Sequence, residues 1–341
     1  MIKNIIYWGG LYKDFRIFES IDIYTKFFLK PYQLLYKKIL DNGYVLRYQV
    51  DSRIHSEKPS VIIHSDVPIV ELRRFCTLKK LIRSLVEKIQ TKNRLYRYSN
   101  ARKILLLLES PSVYPENYLK ENHYYYDYIL TQDDYLVDNI KYFKIYQPVY
   151  FDNTEYLINF NIKKFCLIIN SNKKSNVKGE LYSKRLGIVQ SFVAYDATLL
   201  DVYGEGWEEF PNAKGRVLDK LEVMCRYKFA ICYENFSSGS GYITEKIFDC
   251  FIAGIIPIYW GAPNIEEHIP KDLFIDRRDY KSNVELINYL RAIRESEYNE
   301  IIKKIKCYLI SPDFYKWSPD NFANTIFNVI NKDTKNDTCP K

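Results

Sequence analysis

The segment "GYITEKIFDCFIAGIIPIYWG", Gly241 to Gly261, decides the fold prediction because it combines a turn, a short helix and a buried strand. Thr244 is a suitable N-cap for the helix, and Gly254 is placed to end it. Ile255 to Trp260 then form an apolar run of strand length. A helix that leads directly into a buried strand is typical of a parallel α/β sheet.

Lys246 is an unusual residue for the first turn of this helix. The free N–H groups there carry partial positive charge and favour anions over cations. A loop rich in glycine and serine, "FSSGSG" (236–241), precedes the helix. Loop, helix N-terminus and lysine together form the pattern of an anion-binding site, which a diphosphate would fit. The alternative is a solvated lysine that extends from the first turn into water.

Strand-like and helical runs alternate along the whole chain. We predict strands at 43–50, 59–65, 103–110, 126–132, 164–172, 199–207, 228–235 and 254–261, and helices at 32–42, 78–92, 180–194, 216–226, 244–252 and 284–306. This alternation predicts an α/β fold with mostly parallel sheets and helices on their faces.

The strand-like and helical patterns are weaker at 148–156, and this stretch separates the two series of elements. We therefore predict two Rossmann-like domains, residues 1–155 and residues 156–341 with C-terminal helices. In such sheets ligands bind outside the carboxyl ends of the strands, so we expect a cleft between the two domains.

The composition is that of a globular protein, with 47% hydrophobic residues. The seven cysteines include no Cys-x-x-Cys, and most lie in apolar runs, which indicates reduced core thiols of a cytoplasmic protein. Charges interrupt the first residues, "MIKNIIYWGGLYKDFRIF", so we expect neither a signal peptide nor a membrane anchor there. The longest apolar run, Cys250 to Trp260, is too short to span a bilayer.

Positive charge is concentrated in one segment. Residues 73–103 contain eleven Lys or Arg and one acid, a net charge of +10, against +8 for the entire chain. Apolar residues recur there at helical spacing, which predicts a basic amphipathic helix. Its polar face is either simply solvated or a surface for anionic membrane headgroups or an anionic acceptor. Nucleic acid is a weaker alternative, since no matching motif is present.

The run "YKFAICYENFSSGSGYITEKIFDCFIAGIIPIYWG" (227–261) resembles the donor-binding region of the α1,3/4-fucosyltransferase family. The residues that carry the resemblance are Tyr227, Lys228, Phe229, Glu234, Asn235, Tyr242, Ile243, Thr244, Glu245 and Lys246. It extends more weakly through "CLIINSN", "ELYSKRLGIVQSF" and "LLDVYGEGW", and into "YYYDYILTQDDYLVDN" of the first half.

The resemblance implies a GT-B scaffold whose first domain binds a glycan acceptor and whose second binds GDP-fucose. It implies an inverting transfer of L-fucose to a hydroxyl, O3 of GlcNAc or Glc. Carried onto this sequence, Arg185, with Lys184 as the alternative, and Lys246 would contact the diphosphate.

The same resemblance assigns roles to four further residues of the motif. Asn235 and Glu245 would contact ribose or fucose hydroxyls, and Tyr242 and Ile243 would line the donor pocket. From residue type alone, Asn235 could equally be a turn residue and Glu245 a carboxylate that favours the helix N-terminus.

The sequence contains no Asp-x-Asp, a pattern that holds a metal on the diphosphate in many nucleotide-sugar transferases. Charge that develops on the departing GDP must be met by a metal or by fixed cations. Arg185, Lys246 and the helix N-terminus are a sufficient metal-free set. We therefore expect that no cofactor is required, and that a divalent metal could only increase the activity indirectly.

Inversion also requires a base that accepts the proton of the attacking hydroxyl. Glu109 follows the apolar run "KILLLL" and precedes "SPSVYP". The resemblance implies that Glu109 is this base. Glu116, in the following loop, is the alternative, and Glu109 could also be an ordinary surface glutamate at a strand end.

These observations favour a bacterial-type GDP-fucose transferase that extends lipopolysaccharide or capsule glycans at the cytoplasmic face of the inner membrane. Two alternatives remain. One is a transferase for another GDP-linked 6-deoxyhexose, which would share the nucleotide contacts. The other is a non-catalytic protein that binds anionic surfaces through residues 73–103.

Overall fold

The computed structural model describes residues 4–10, 18, 26–48, 57–67, 91–150 and 158–332. The chain forms two compact units. The first comprises Met1–Tyr150 together with Lys316–Lys341, and the second comprises Phe151–Tyr315. Each unit contains its own sheet.

The strands of the described residues are β1 (Asn4–Gly10), β2 (Tyr44–Tyr48), β3 (Val61–Ser65), β4 (Arg102–Leu107), β5 (Tyr128–Thr131), β6 (Tyr142–Lys144), β7 (Lys164–Ile169), β8 (Leu200–Tyr203), β9 (Ala213–Gly215), β10 (Tyr227–Tyr233), β11 (Ile256–Trp260) and β12 (Ile275–Asp276). The helices are α1 (Lys26–Asp41), α2 (Lys120–His123), α3 (Tyr182–Asp196), α4 (Lys220–Met224), α5 (Glu245–Ile252), α6 (Asn283–Ala292), α7 (Glu295–Leu309) and α8 (Pro319–Ile330).

The first unit is built on a six-stranded sheet in the order β2-β1-β3-β4-β5-β6. Every neighbouring pair in it is parallel. The order reverses between β1 and β3, so the crevice beyond their carboxyl ends is where ligands bind in sheets of this type. Asp66 directly follows β3 at this edge.

Both faces of this sheet are covered, which explains why its strands are almost continuously apolar. One face packs on α1 and α8 through a core that includes Ile6, Trp8, Leu35, Ile63, Leu106, Phe322 and Ile326. The other face carries Tyr7, Ile62, Leu105 and Ile129, which pack with Leu95 and Tyr126. Neighbouring residues of one strand thus belong to opposite cores, as the two-residue period of a strand requires.

The second unit has a parallel sheet in the order β12-β11-β10-β7-β8-β9. Numbered along the chain within this unit, the order is 3-2-1-4-5-6, the arrangement of dinucleotide-binding sheets. The reversal lies between β7 and β10. Its core includes Ile168, Phe192, Val202, Ile231, Ile258, Leu286 and Tyr298.

The predicted parallel α/β architecture is confirmed, and the eight predicted strands are present. Four further strands were not predicted: β1, β6, β9 and β12. The helix expected at 284–306 is two helices, α6 and α7, since Ile293 leaves the helical conformation with ψ 120°.

The predicted extent of the second domain, 156–341, needs correction. The first unit reaches Tyr150, and the chain returns to it from Lys316 onward. The reason is the apolar face of α8, whose Phe322, Ala323, Ile326 and Phe327 are buried in the first unit's core. Amphipathic periodicity identifies such a helix but does not say which sheet it covers.

Four cysteines of the second unit, Cys166, Cys225, Cys232 and Cys250, are free and buried, as predicted. Cys307 is also free but exposed, so it is not a core thiol. Cys76 and Cys339 lie outside the described residues, as does the part of the basic segment before residue 91. Within the ranges that the structure describes, no helix is long and apolar enough to cross a membrane.

Candidate functional site

The carboxyl end of β10 is joined to the start of α5 by a buried carboxylate. Glu234 directly follows the strand and is fully buried. It accepts hydrogen bonds from the Thr244 amide at 2.8 Å, from the Thr244 hydroxyl at 2.9 and 2.8 Å, and from Lys246 Nζ at 3.0 Å. Thr244 is the N-cap residue, as predicted, but its side chain makes no capping bond because its hydroxyl donates to Glu234.

Lys246 is therefore held by a partner, and the alternative of a solvated lysine is wrong. Its Nζ also donates to the Thr244 hydroxyl at 2.9 Å and lies 3.9 Å from Glu245 Oε1. Burial alone would lower the pKa of Lys246, but the carboxylates of Glu234 and Glu245 outweigh it and raise this pKa. Lys246 is thus a fixed cation at the helix start.

Close packing around Glu234 depends on Gly261, which follows β11. A Cβ on Gly261 would lie 2.2 Å from Tyr259 Oη and 2.6 Å from Glu234 Cγ. Such distances are far below van der Waals contact. Only glycine at this position lets the β11 turn approach the buried carboxylate.

Arg185 lies in the first turn of α3 and is only 4% exposed. Its Nη2 donates to the Tyr233 carbonyl at 2.8 Å, and its guanidinium lies 5.1 Å from the ring centre of Tyr182. Its Nε is buried and forms no hydrogen bond with any residue that the structure describes. The positive charge of Arg185 lowers the pKa of Lys246 and so opposes its rise. The two cations are therefore close enough to interact.

Lys184, the alternative to Arg185, has a different environment. It is exposed, and its ammonium lies 5.7 Å from the ring centre of Trp260. An exposed lysine over an aromatic ring is solvated and mobile compared with a buried guanidinium. The structure therefore brings Arg185, and not Lys184, near the buried pair of Glu234 and Lys246.

A cavity of about 500 Å³ opens at the carboxyl ends of β7 and β8. Its lining includes Asn170, Ser171, Gly204, Glu205, Arg216 and Lys220. A recess of about 20 Å³ between β7 and β10 also contacts Lys220 and reaches Lys246. Lys220 thus lies between the larger cavity and the start of α5, at the reversal of strand order.

Gly204 and Lys220 determine the shape and charge of this cavity. Gly204 has φ +121°, and a Cβ there would lie 2.3 Å from the Asn170 carbonyl oxygen, so only glycine fits. Lys220 forms an ion pair with Asp249 of α5. Burial would lower the pKa of Lys220, but Asp249 and Glu245 raise it above its ordinary value.

The remaining predicted donor residues lie in the same loop region. Asn235 is half-buried, and its carbonyl accepts the Leu181 amide at 3.1 Å. Tyr242 and Ile243 are buried. Glu245 is about half exposed, and although burial would raise its pKa, Lys246 and Lys220 lower it.

Three charged residues of this site, Glu234, Lys220 and Arg216, were not predicted from the sequence. Glu234 was present in the quoted motif, and its position directly after an apolar strand was the signal for a role. Lys220 and Arg216 carried no comparable signal, because their place beside the cavity depends on the path of the chain between β9 and α4.

The predicted base lies in the first unit. Glu109 is half-buried, two residues beyond the end of β4, at the carboxyl edge of the sheet. Glu116 lies in the 3₁₀ turn Pro115–Tyr118. The position after the strand end agrees with the expectation for Glu109.

A buried carboxylate next to Glu109 was not predicted. Asp66 is fully buried, with φ +58°. Burial, with a smaller contribution from the charge of Glu109, raises the pKa of Asp66 to about 7 against the opposing effect of its hydrogen bonds. Burial thus favours the protonated form of Asp66 more than it would be favoured in an exposed carboxyl.

Comparison with known proteins agrees with this geometry. Residues 161–320 match the model of glycosyltransferase family 10 (fucosyltransferase) C-term. A 77-residue stretch, 23% of this chain, is 39% identical to the α-(1,3)-fucosyltransferase FucT of Helicobacter pylori and covers 16% of it. A 127-residue stretch, 37% of this chain, is 33% identical to 4-galactosyl-N-acetylglucosaminide 3-α-L-fucosyltransferase 9 of Homo sapiens and covers 31% of it.

A solved structure of an α1,3-fucosyltransferase with GDP resembles the fold with a TM-score of 0.60 at 18% identity, covering 97% of this chain and 91% of that one. This likeness shows the GT-B fold. The sequence matches span less than a third of the length of the two relatives. Residues 161–320, just under half of the chain, thus resemble the C-terminal part of the glycosyltransferase family 10 fucosyltransferases.

Proposed function

We propose that this protein transfers L-fucose from GDP-fucose to a hydroxyl of a glycan, with inversion at the fucose carbon. The observation that carries the proposal is the cation pair Arg185 and Lys246 at two helix starts beside the reversal of strand order in the second unit. Fixed cations at this place suit the diphosphate of a nucleotide sugar. The family match of the same residues supports this choice of ligand.

In this proposal the nucleoside occupies the cavity of about 500 Å³ and the diphosphate lies toward Lys246. Arg185, whose Nε bonds to none of the described residues, retains a donor for a phosphate oxygen. Glu234 and Thr244 hold Lys246 in place. Positive charge fixed in advance stabilises the leaving GDP without reorganisation.

Asn235 and Glu245 would accept hydrogen bonds from ribose or fucose hydroxyls. Tyr242 and Ile243 would shape the donor site around the fucose. These roles follow from the resemblance of the motif and from the position of Asn235, Tyr242 and Ile243 between β10 and α5, with Glu245 as the first residue of α5.

Glu109 would take the proton of the attacking hydroxyl. Attack from the face opposite to GDP gives the inverted product, and one carboxylate suffices because no covalent intermediate forms. Glu116 remains the alternative base. The first unit would bind the acceptor and the second the donor.

We propose O3 of a GlcNAc or Glc residue as the acceptor position, in lipopolysaccharide or capsule glycans. The names of the relatives, a 3-fucosyltransferase of N-acetylglucosaminides among them, support this choice. The protein would work in the cytoplasm at the inner membrane, which residues 73–103 would contact through their positive charge.

A transferase for another GDP-linked 6-deoxyhexose is the second candidate. Residues that bind only the diphosphate would not distinguish fucose from a related 6-deoxyhexose. A screen of GDP-sugars against one acceptor would decide between the two.

The deciding experiment measures GDP release from GDP-fucose in the presence of N-acetyllactosamine and of a glycan array. Glu109→Gln keeps the shape of the side chain but cannot accept a proton. We expect its kcat to fall by about 10²–10⁴-fold while GDP affinity changes little.

Glu116→Gln serves as the matched variant under the same conditions. Near-normal turnover of Glu109→Gln with a collapse of Glu116→Gln would assign the base to Glu116. If both variants turn over normally, the base is another group. No GDP-fucose turnover by the unmodified protein on any glycan would contradict the proposed function.

A second prediction concerns metal. Because Arg185, Lys246 and the helix start supply the positive charge, turnover should persist in excess chelator. The measurement is GDP release by metal-stripped protein, with and without added manganese or magnesium. Complete loss, restored only by the metal, would show a metal site that this proposal lacks.

A further inference from the structure

Asp66 forms three hydrogen bonds through a single oxygen. Its Oδ1 accepts the amide of Leu108 at 2.8 Å, the amide of Glu109 at 3.0 Å and Asn117 Nδ2 at 2.5 Å. Its second oxygen, Oδ2, is buried and has no hydrogen-bond partner within the described ranges of the chain. The carboxylate therefore fixes the backbone of the β4 end from the neighbouring strand, β3.

Asn117 holds the same peptide segment from its other side. Its Nδ2 also donates to the Glu109 carbonyl at 3.2 Å, and its Oδ1 accepts the Val67 amide at 2.9 Å. The Asn117 carbonyl in turn lies 2.6 Å from His123 Nε2 of α2. Both the amide and the carbonyl of Glu109 thus bond to buried side chains.

Two features of Asp66 lower the stability of the folded protein. A buried carboxyl oxygen without a partner loses its hydration without replacement. A positive φ is also strained for an aspartate, although less so than for most residues. Backbone strain and unsatisfied buried polar atoms are concentrated at functional sites. Here both occur at Asp66, which lies beside the proposed base.

We propose that Asp66 and Asn117 are positioning residues, a clamp that fixes the Glu109 peptide at the carboxyl edge of the first unit's sheet. The inference rests on the proposed role of Glu109 as base. A base must lie within hydrogen-bond reach of the hydroxyl it deprotonates, so its backbone needs a fixed place.

The test compares Asp66→Ala, Asp66→Asn and Asn117→Ala in the full chain, with GDP-fucose and the acceptor found for the unmodified protein. A displacement of about 1 Å costs up to about 10²-fold in rate. We expect kcat to fall about 10–100-fold in both alanine variants, with the KM for GDP-fucose unchanged. Asp66→Asn retains an oxygen acceptor and should recover most of this loss.

Tyr126→Phe is the matched control. It removes a buried hydrogen bond between the Tyr126 hydroxyl and His64 Nδ1, 2.6 Å apart, in the same unit. It has no bond to the Glu109 peptide, so its kcat should equal that of the unmodified protein. Resistance of residues 1–150 to limited proteolysis shows whether the first unit is folded in every sample, and Asn117→Ala carries the test if Asp66→Ala does not fold.

Hydrogen exchange gives a readout that needs no activity. The amides of Leu108 and Glu109 should exchange at least about tenfold faster in Asp66→Ala, since their acceptor is gone. Asp66→Asn should keep the slow exchange. Unchanged exchange in Asp66→Ala would overturn the clamp.

Parallel assay of Glu109→Gln separates the two proposals. Full activity of Glu109→Gln would overturn the proposed base and with it this positioning role. An inactive Glu109→Gln beside wild-type kcat in Asp66→Ala and Asn117→Ala would overturn the clamp alone. An equal loss in Asp66→Asn and Asp66→Ala would also overturn it, because charge and not position would then be required.

Discussion

At the residue scale, the ion pair of Lys246 and Glu234 is the feature that most constrains the donor site. A buried pair of this kind contributes little to stability by itself, but removal of one partner leaves an uncompensated charge. Loss of Lys246 therefore has two consequences, one for the ligand and one for Glu234. An experiment on Lys246 alone would mix them.

We predict that Lys246→Ala and Arg185→Ala each weaken GDP binding by about 1.5–3 kcal/mol, the range for a lost charge-assisted hydrogen bond. Titration calorimetry with GDP measures this directly. The double variant Glu234→Gln/Lys246→Ala removes the buried charge together with its partner.

If Lys246 acts on the phosphate, the double variant should bind GDP as weakly as the single one. Recovery of GDP affinity in the double variant would instead show that Lys246 only neutralises Glu234. Lys184→Ala, an exposed neighbour of Arg185, should leave the affinity unchanged.

The sequence predicted much of the site at this scale, and its failures have a common cause. Lys246 and Arg185 could be assigned because a recognisable string or a helix start surrounds each of them. Asp66 and Asn117 could not, since their roles arise from hydrogen bonds that span about fifty residues of chain. Partners of buried carboxylates are not encoded in local spacing.

At the element scale, the turn after β11 limits how Glu234 can be placed. Gly261→Ala would force its Cβ against Tyr259 Oη and Glu234 Cγ. We predict that the displaced Glu234 releases Lys246, so that GDP affinity falls along with the free energy of unfolding. Calorimetry with GDP and thermal denaturation together measure both effects.

Gly187→Ala is the control for this substitution. Gly187 lies inside α3, two residues from Arg185, and a Cβ there meets nothing within 4 Å. Alanine in a helix interior is favoured over glycine by about 0.5–1 kcal/mol, so this variant should be slightly more stable and bind GDP normally. Equal GDP affinity of the Gly261 and Gly187 variants would contradict the proposed link between this turn and Lys246.

The elements themselves were largely predictable because both sheets are parallel and buried, and such strands are long apolar runs. Three of the four missed strands are short edge strands: β6 and β9 contain three residues each and β12 contains two. Strands of that length carry too few residues for a period of two to appear. The exception is β1, which has seven residues and lies between β2 and β3.

At the scale of the whole molecule, the chain crosses from the second unit back to the first, so that its last described helix completes the earlier core. Val149 donates its amide to the Trp317 carbonyl at 2.7 Å, and the Tyr44 hydroxyl donates to Asn331 at 2.9 Å. The Arg102 side chain donates to the Ile330 carbonyl. The stability of the first unit therefore depends on residues that are separated from it by the entire second unit.

We predict that a chain truncated after Tyr315 loses the first unit and keeps the second. The truncation removes α8, whose Phe322, Ile326 and Ile330 are almost fully buried. Burial of one large apolar side chain contributes about 1.5–3 kcal/mol, so the three together approach the whole stability of an ordinary domain. Limited proteolysis should cut the truncated chain within residues 1–150, and GDP-fucose transfer should stop.

GDP binding should survive this truncation, because the cavity, Arg185, Lys220 and Lys246 all lie within Phe151–Tyr315. A control truncated after Lys332 keeps α8 and should behave as the unmodified protein. Protease resistance of residues 1–150 without α8 would contradict the dependence on this helix. Loss of GDP binding together with transfer would show instead that the second unit cannot fold without the first.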